Sequence, residues 1–81
     1  MWYVYILECR GQSLYTGITT DPARRFTAHR RGAARYTSYN PPRRIAYTER
    51  LPTKSAALKR EAQIKRWPRD KKLALIASPN K

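Results

Sequence analysis

Residues 2–8 read WYVYILE, a run of aromatic and β-branched side chains with no helix breaker. Alternation along a strand would place apolar side chains on both of its faces, so each face of this segment can be buried. A turn segment with Gly11 follows, and Ser13 to Ile18 is again typical of a strand. The beginning of the chain therefore predicts a β-hairpin whose first strand lies inside the fold.

Helix signals begin directly after this hairpin. Asp21 and Pro22 predict a helix start, because an N-cap aspartate accepts hydrogen bonds from free amides and proline loses none at the first helical position. Gly32 predicts the end of this helix. Within it, Ala23 and Phe26 belong to a predicted apolar stripe.

The rest of the chain divides at its prolines. The predicted elements are a loop at residues 33–43, a strand from Arg44 to Arg50, a helix from Pro52 and Thr53 to about Trp67, a helix from Arg69 to Ala77 and a tail at residues 78–81. Together they predict an α+β fold, in which a small three-stranded antiparallel sheet is flanked by helices. We expect one domain over residues 1–77 and a flexible C-terminal tail at 78–81.

The charge of the chain indicates a polyanionic partner. Eighteen Lys and Arg residues stand against five Asp and Glu, a formal net charge of +13, and the cations are spread along the chain. Nucleic acid is the default partner of such a small basic domain. Charge alone separates neither DNA from RNA nor binding from cleavage.

The single cysteine and the short apolar runs indicate the cellular compartment in which the protein is expected. Cys9 has no second cysteine to pair with, which excludes an internal disulfide and a thiolate metal site and favours the reducing cytoplasm. Residues 1–8 lack the features of a signal peptide, and no apolar stretch is long enough to span a membrane. We therefore expect a cytoplasmic protein without membrane contact.

Several side chains could act on a phosphodiester, although each also has a plainer explanation. Arg25 and His29 are spaced i, i+4 on the first helix and should project the same way. Taken singly, His29 could be a surface or hydrogen-bonded residue and Arg25 a solvated cation. Tyr5 and Tyr15 could be ordinary strand aromatics.

Glu61 falls near the middle of the apolar stripe of the second long helix, where a carboxylate is unusual. One interpretation is a half-buried glutamate paired with Lys65 or Lys54. The other is a ligand for a divalent cation, which prefers carboxylate oxygen and keeps several waters. Periodicity leaves both interpretations open.

The combination of these residues has a known counterpart. Tyr5 in the first strand, Tyr15-Thr16-Gly17 in the second, then Arg25, His29 and the later helical Glu61 resemble the GIY-YIG nuclease superfamily. The similarity covers essentially the whole chain and is strongest to the small, stand-alone bacterial branch. It implies the α+β fold predicted above.

The resemblance also implies a reaction, the hydrolysis of a phosphodiester in DNA with one divalent cation, Mg²⁺ or Mn²⁺, held by Glu61. Tyr5 would act as general base toward water with help from Tyr15, Arg25 would bind the scissile phosphate, and His29 would assist proton transfer or phosphate binding. Weak sequence preference is expected, and a preference for particular DNA structures is possible. DNA is favoured over RNA, and a protein partner that supplies specificity stays open.

Other residues are expected to position the backbone. Gly17 would permit close approach of backbone or substrate at the end of its strand. Cations would follow the phosphates and tyrosines would stack on unpaired bases. The residues predicted for this role are Arg24, Arg30, Arg31, Arg35, Tyr36, Tyr39, Arg43 and Arg44.

The chain departs from the family pattern at several places. Tyr3 replaces the motif's Gly, while Val4 and Thr16 each replace an Ile, and the late Asn of the superfamily has no matching position. A second hypothesis follows, in which the domain is a non-catalytic DNA- or RNA-binding module that retains the nuclease fold. Enzymatic activity is the favoured interpretation.

Overall fold

The computed structural model describes residues 1–31 and 41–78, so Gly32, Arg35, Tyr36 and Tyr39 lie outside the described part of the chain. The elements are β1 Trp2–Cys9, β2 Leu14–Thr19, α1 Pro22–Arg30, β3 Pro42–Leu51, α2 Lys54–Lys65 and α3 Arg69–Ala77. In these residues the strands form one antiparallel sheet of order β2-β1-β3. The predicted α+β fold, a three-stranded antiparallel sheet flanked by helices, is confirmed.

The predicted hairpin forms around a short 3-10 turn at Arg10–Gln12. Gly11 has φ +76°, as its position in the turn predicted, and Gln12 follows with φ +65°. The Cys9 amide closes the turn by donating to the Ser13 carbonyl at 2.8 Å. This turn sets the register of the hairpin and places Tyr5 directly opposite Gly17.

The third strand is longer than the sequence predicted. It starts at Pro42 rather than Arg44, so the predicted loop at 33–43 was wrong at its end. Proline is tolerated there because β3 is an edge strand and Pro42 is its first residue, where no ladder amide is needed. The register shifts between Ile6 and Leu7 and again between Glu8 and Cys9, which gives β3 its irregular pairing with β1.

Both faces of β1 are buried, as its composition predicted. On one face Val4 and Ile6 pack with Ala57 and Ile64 of α2, and side chains of α3 cover the same cluster. On the other face Tyr5, Leu7 and Cys9 form a second cluster, against which Phe26 of α1 packs. The sheet thus lies between α1 on one side and the α2–α3 pair on the other.

Helix α1 begins as predicted but buries a different side chain. The Asp21 carboxylate accepts from the Arg24 amide at 3.1 Å, which caps the helix. Phe26 is half-buried, Ala23 is exposed, and the fully buried residue of α1 is His29. The predicted stripe was therefore wrong in its centre, because a polar partner on β1 makes burial of the imidazole favourable.

Helices α2 and α3 follow their local signals. The Thr53 hydroxyl caps α2 by accepting from the Ala56 amide at 3.1 Å. Helix α2 ends at Lys65, two residues before the predicted end, and α3 spans the predicted Arg69–Ala77. None of the helices in the described residues is long and apolar enough to cross a membrane.

Candidate active site

The two central groups of the site are Tyr5 and His29. Tyr5 stands in the middle of β1 and is 2% exposed, and His29 comes from the last turn of α1 and is fully buried. The Tyr5 Oη and the His29 Nε2 are hydrogen-bonded at 2.9 Å. A phenol and an imidazole that are distant in sequence are therefore joined by a bond along which a proton can move.

Tyr15 completes an aromatic group with these two residues. Its ring centroid lies 4.9 Å from that of His29 in an edge-on arrangement, and 6.3 Å from that of Tyr5. Tyr5 and His29 also meet edge-on, with centroids 5.9 Å apart. Edge-on packing is the favourable geometry for aromatic rings, so each ring limits the orientation of the other two.

Gly17 makes room for the phenol. It lies opposite Tyr5 on the neighbouring strand, and a Cβ at this position would stand 2.6 Å from Tyr5 Oη and 2.8 Å from Tyr5 Cζ. Carbon atoms do not approach so closely without displacement. In the structure the Tyr5 ring makes a close approach at Gly17, where the sequence predicted one by backbone or substrate.

The buried pair is held in its neutral form. Burial raises the pKa of Tyr5, and the hydrogen-bonding Arg25 side chain acts against that rise, while the charges of Tyr15 and Glu61 add to it. Burial also lowers the pKa of His29, and the positive charge of Arg25 lowers it further. At neutral pH the bond therefore joins an un-ionised phenol to an uncharged imidazole.

Arg25 links this buried pair to the surface. Its guanidinium influences both Tyr5 and His29, yet the residue itself is exposed. Beside it lies an open cleft of about 270 Å³. The cleft is lined by Thr19, Thr20, Asp21, Arg24, Arg25 and Ala28.

Two guanidinium groups and the Thr20 hydroxyl in one cleft suit a phosphate, because they combine positive charge with hydrogen-bond donors, whereas the Thr19 hydroxyl already donates to the Asp21 carbonyl at 3.4 Å. The sequence interpretation did not include Thr19 and Thr20. Their position between the second strand and the N-cap Asp21 was the available signal, since a strand-to-helix junction brings its side chains beside the first helical turn.

Glu61 matches the first of the two interpretations that the sequence left open, the half-buried glutamate paired with a lysine, while the metal interpretation stays a prediction. It is half-buried and forms an ion pair with Lys65, whose Nζ lies 3.3 Å from Glu61 Oε2. Its charge still reaches Tyr5, since it contributes to the raised pKa of the phenol. The described residues contain no group of three or more His, Cys, Asp and Glu side chains arranged for a metal.

A single carboxylate with one exposed side fits a hydrated divalent cation, which needs only one or two protein ligands. Such an ion would compete with Lys65 for the carboxylate. The donor set therefore fits Mg²⁺ or Mn²⁺ held mostly by water, and it does not fit a closed transition-metal site.

The family model described as the GIY-YIG catalytic domain matches residues 1–74. The chain belongs to the GIY-YIG family. Its GIY-YIG domain is 52% identical over 77 residues to a UPF0213 protein of Cupriavidus necator. That match covers 94% of this chain and 84% of the relative. A UPF0213 protein of Staphylococcus saprophyticus is 46% identical over 76 residues, with 93% of both chains covered.

A solved structure supports the same relationship. The GIY-YIG domain resembles the solution NMR structure of a UPF0213 protein from Bacillus halodurans, with a TM-score of 0.61 and 43% sequence identity. The match covers 95% of this chain and 84% of the other. A nuclease-type fold is therefore established for this GIY-YIG domain.

The departures from the motif lie mainly away from the aromatic group. Val4 belongs to the buried cluster on the α2–α3 side of the sheet. Thr16 is buried, and alternation along β2 turns it away from the face of Tyr15 and Gly17. Only Tyr3 is on the same face of β1 as Tyr5, two positions away.

The cations predicted to contact nucleic acid differ in their surroundings. Arg24, Arg30 and Arg31 are exposed on or beside α1 of the GIY-YIG domain, and Arg43 is exposed on β3. Arg44 is already paired, with its Nε 2.6 Å from Glu8 Oε1. The α1 side is therefore the richer source of unpaired positive charge near Tyr5 among these predicted cations.

Proposed function

We propose that this GIY-YIG domain is an endonuclease that hydrolyses phosphodiester bonds in DNA with one divalent cation, Mg²⁺ or Mn²⁺. The observation that supports it most is the 2.9 Å hydrogen bond between Tyr5 Oη and His29 Nε2. This bond is buried, while Arg25 beside it is exposed and can reach a phosphate. A general base next to an accessible cation that can hold the phosphate is what phosphodiester hydrolysis needs.

The proton of the attacking water moves along this bond. Neutral His29 with an unprotonated Nε2 accepts the Tyr5 hydroxyl proton, while Tyr5 Oη takes the proton of the water. The water oxygen then forms its bond to phosphorus, the bond to the leaving oxygen breaks, and solvent protonates the leaving oxygen. His29 is the final proton acceptor in this scheme, and Tyr5 relays the proton.

Arg25 holds the phosphate during this step. Its planar guanidinium can bind two phosphate oxygens and stays charged as negative charge grows in the transition state. Because Arg25 stands between the cleft and the Tyr5–His29 pair, it can place phosphorus near the phenol. Tyr15 supports the geometry by packing on both rings.

Glu61 is the residue that would hold the divalent cation. When bound, such an ion supplies a water of lowered pKa and neutralises phosphate charge. Mn²⁺ offers a direct test without turnover, because it broadens NMR signals of nearby protons. We expect selective broadening of Tyr5, Tyr15 and His29 ring signals, lost in Glu61→Gln and retained in the control Glu8→Gln.

A paired cleavage and binding assay tests the proposal. Wild type, Tyr5→Phe, Arg25→Ala and Glu61→Gln are incubated with single-stranded, duplex and branched DNA, with Mg²⁺, with Mn²⁺ or with EDTA. Loss of cleavage by about 10²-fold or more with retained binding is expected for Tyr5→Phe. Tyr3→Phe is the matched control, since it removes a phenol from the same face of β1, and it should cleave normally.

A non-catalytic nucleic-acid-binding module is the second candidate. The raised pKa of Tyr5 and the ion pair of Glu61 with Lys65 favour it, because both oppose activation of water. It predicts that no DNA structure is cut with either metal and that Glu61→Gln leaves binding unchanged or slightly tighter. Intact substrates at micromolar enzyme over hours would select this candidate.

The partner and compartment belong to the same proposal. Weak sequence preference is expected because the contacts near Tyr5 are made by cations, which bind phosphates rather than base edges. Matched DNA and RNA substrates in the assay would test the preference for DNA. A cytoplasmic location and a protein partner that supplies specificity remain predictions.

A further inference from the structure

A second basic cleft lies away from the aromatic group. It has a volume of about 180 Å³ and is formed where the start of β2 meets the first turn of α3. Its lining residues are Ser13, Leu14, Arg69 and Lys72. Neither cation belongs to the set expected to contact nucleic acid near Tyr5.

This cleft opens on the opposite face of the sheet from Tyr5. Leu14 packs with the Val4 cluster under α2 and α3, whereas the next residue, Tyr15, packs with Tyr5 on the α1 side. The whole domain measures 30 × 26 × 21 Å, and the sheet lies between the two clefts. A straight duplex lying on the α1 face therefore cannot contact Arg69 at the same time.

The charges around the second cleft are available for an anion. Arg69 is exposed, and Lys72 is one turn later on the same side of α3. In the described residues neither forms an ion pair, although Asp70 is their neighbour and accepts from the Lys71 amide at 3.0 Å. The Ser13 hydroxyl donates to the Arg10 carbonyl at 3.2 Å, so its oxygen remains an acceptor rather than a phosphate donor.

The neighbouring cations are held in place by an indole ring. Lys71 Nζ lies 4.5 Å from the centroid of Trp67, and the Arg60 guanidinium carbon lies 5.2 Å from it. Such contacts restrict long cationic side chains; Arg60 is also paired with Glu49, its Nε 3.1 Å from Glu49 Oε1, whereas Lys71 forms no ion pair in the described residues. Beside the cleft, Lys71 therefore supplies a positive charge that its contact with Trp67 orders before a ligand arrives.

We propose that the cleft of Arg69 and Lys72 binds a backbone phosphate of a second DNA duplex segment, distinct from the segment at Tyr5. Two cations at i, i+3 beside an open cavity suit one phosphate group, and a duplex supplies such groups regularly. The domain would then hold two duplex segments on opposite faces of its sheet. The proposal rests on the proposed function only in that DNA is the ligand on the α1 face.

Bridging of two duplexes tests this inference directly. Donor-labelled and acceptor-labelled duplexes are mixed with the full chain in EDTA, so that hydrolysis plays no part, and energy transfer between them is measured. Wild type should bring the two labels together. Arg69→Gln/Lys72→Gln should lose at least nine-tenths of the transfer while still binding a single duplex.

The matched control removes the same charge from the same helical layer. Lys54→Gln/Lys59→Gln changes two exposed cations of α2, one at its first residue and one near its middle, and should bridge like wild type. Arg69→Lys/Lys72→Arg retains both charges and should also bridge. Circular dichroism of each variant confirms that the fold is retained.

Salt dependence gives an independent measure. Each phosphate contact with duplex DNA contributes about 0.9 to the slope of log K against log salt concentration. For the second binding event, one phosphate contact at this cleft predicts that the slope falls by about 0.9 in Arg69→Gln/Lys72→Gln. No such fall is expected for Lys54→Gln/Lys59→Gln.

Several results would overturn the inference. They are the absence of bridging by wild type, equal bridging by Arg69→Gln/Lys72→Gln, or a joint loss of bridging and single-duplex binding, which would place both segments on one surface. Failure of the proposed hydrolysis would leave the bridging result unaffected, because the assay contains no metal. If Arg69→Gln/Lys72→Gln loses bridging but still cleaves DNA, the result supports the inference, because the second cleft then serves bridging and not cleavage.

Discussion

Gly17→Ala is expected to destabilise the domain through the Tyr5 ring. The added Cβ would stand 2.6 Å from Tyr5 Oη, 2.8 Å from Cζ and 3.2 Å from Cε2. The Tyr5 side chain is 2% exposed, so the ring is enclosed by its neighbours. Relief of the clash therefore has to move Tyr5 away from His29 or push β1 and β2 apart.

Three effects set the size of the loss. Overpacking of a filled core costs about 1–3 kcal/mol. Weakening of the Tyr5–His29 hydrogen bond adds about 0.5–1.5 kcal/mol. Alanine is better than glycine within a strand by about 0.5–1 kcal/mol, which offsets part of this. The net expectation is a loss of about 2 kcal/mol, which for a domain of this size lowers Tm by about 8–16 °C.

The assay is thermal and urea unfolding followed by circular dichroism, with a double-mutant cycle to locate the cause. Tyr5→Phe removes the oxygen that makes the shortest contact, so Gly17→Ala should cost about 1 kcal/mol less in that background. Gly11→Ala is the control. Gly11 has φ +76° and open space around its Cβ position, so its loss of about 1 kcal/mol comes from the backbone and should not couple to Tyr5→Phe.

The reasoning would be refuted if Gly17→Ala left Tm within about 2 °C of wild type, since the clash would then be relieved at almost no cost. Equal coupling of Tyr5→Phe to both glycine variants would also refute it. Coupling restricted to Gly17 would show that the glycine serves the phenol rather than the turn or the strand.

Three further predictions concern charge. Burial lowers the pKa of His29, so on acidification the unfolded chain binds a proton at a higher pH than the folded domain does. The contribution of His29 to the free energy of unfolding is therefore complete above about pH 6.5. Below that pH it is lost, by at most about 1.4 kcal/mol per pH unit. His29→Gln should remove this slope in urea unfolding between about pH 6.5 and 5, and an unchanged slope would contradict the assignment. Arg25→Gln should raise the pKa of His29 in an NMR titration of this single histidine, whereas Arg24→Gln should not, and a fall in either would oppose the electrostatic account. Glu61→Gln should change the unfolding free energy by less than about 0.5 kcal/mol, because its i, i+4 partner Lys65 is exposed and such helical pairs contribute little, and a loss above about 1.5 kcal/mol would make Glu61 a structural residue.

Local signals in the sequence were sufficient for most of the fold. The cap at Asp21, the turn at Gly11 and the boundaries of α3 were predicted because each depends on residues within one or two turns of each other. The start of β3 at Pro42 was missed, since only the position of a strand at the sheet edge makes proline acceptable there. Whether a strand lies at the edge or in the centre of a sheet is decided only when the sheet has assembled.

The site was predictable as a group of residues and unpredictable in its contacts. Spacing placed Arg25 and His29 on one side of α1, but it gave no indication that one would be exposed and the other fully buried. Burial of His29 depends on a hydrogen bond to Tyr5 across 24 residues of chain. The approach of Tyr5 to Gly17 likewise requires the strand register, which the length of the turn determines.

In the proposed reaction, the neutral Tyr5–His29 pair also determines when the site could act. Reference pKa values of about 10 for tyrosine and about 6.5 for histidine make proton transfer from phenol to imidazole cost about 5 kcal/mol. Both pKa shifts in the structure increase that cost, because burial disfavours the phenolate as well as the imidazolium. The free-energy cost of this transfer falls only when the proton lost by Tyr5 is replaced by one from water in the same step, because no phenolate then accumulates. A phosphate bound by Arg25 would then stabilise the imidazolium by its negative charge, and a cation at Glu61 would make the water more acidic. The Tyr5–His29 pair would therefore act as a base only when a phosphate is bound at Arg25 and a cation at Glu61.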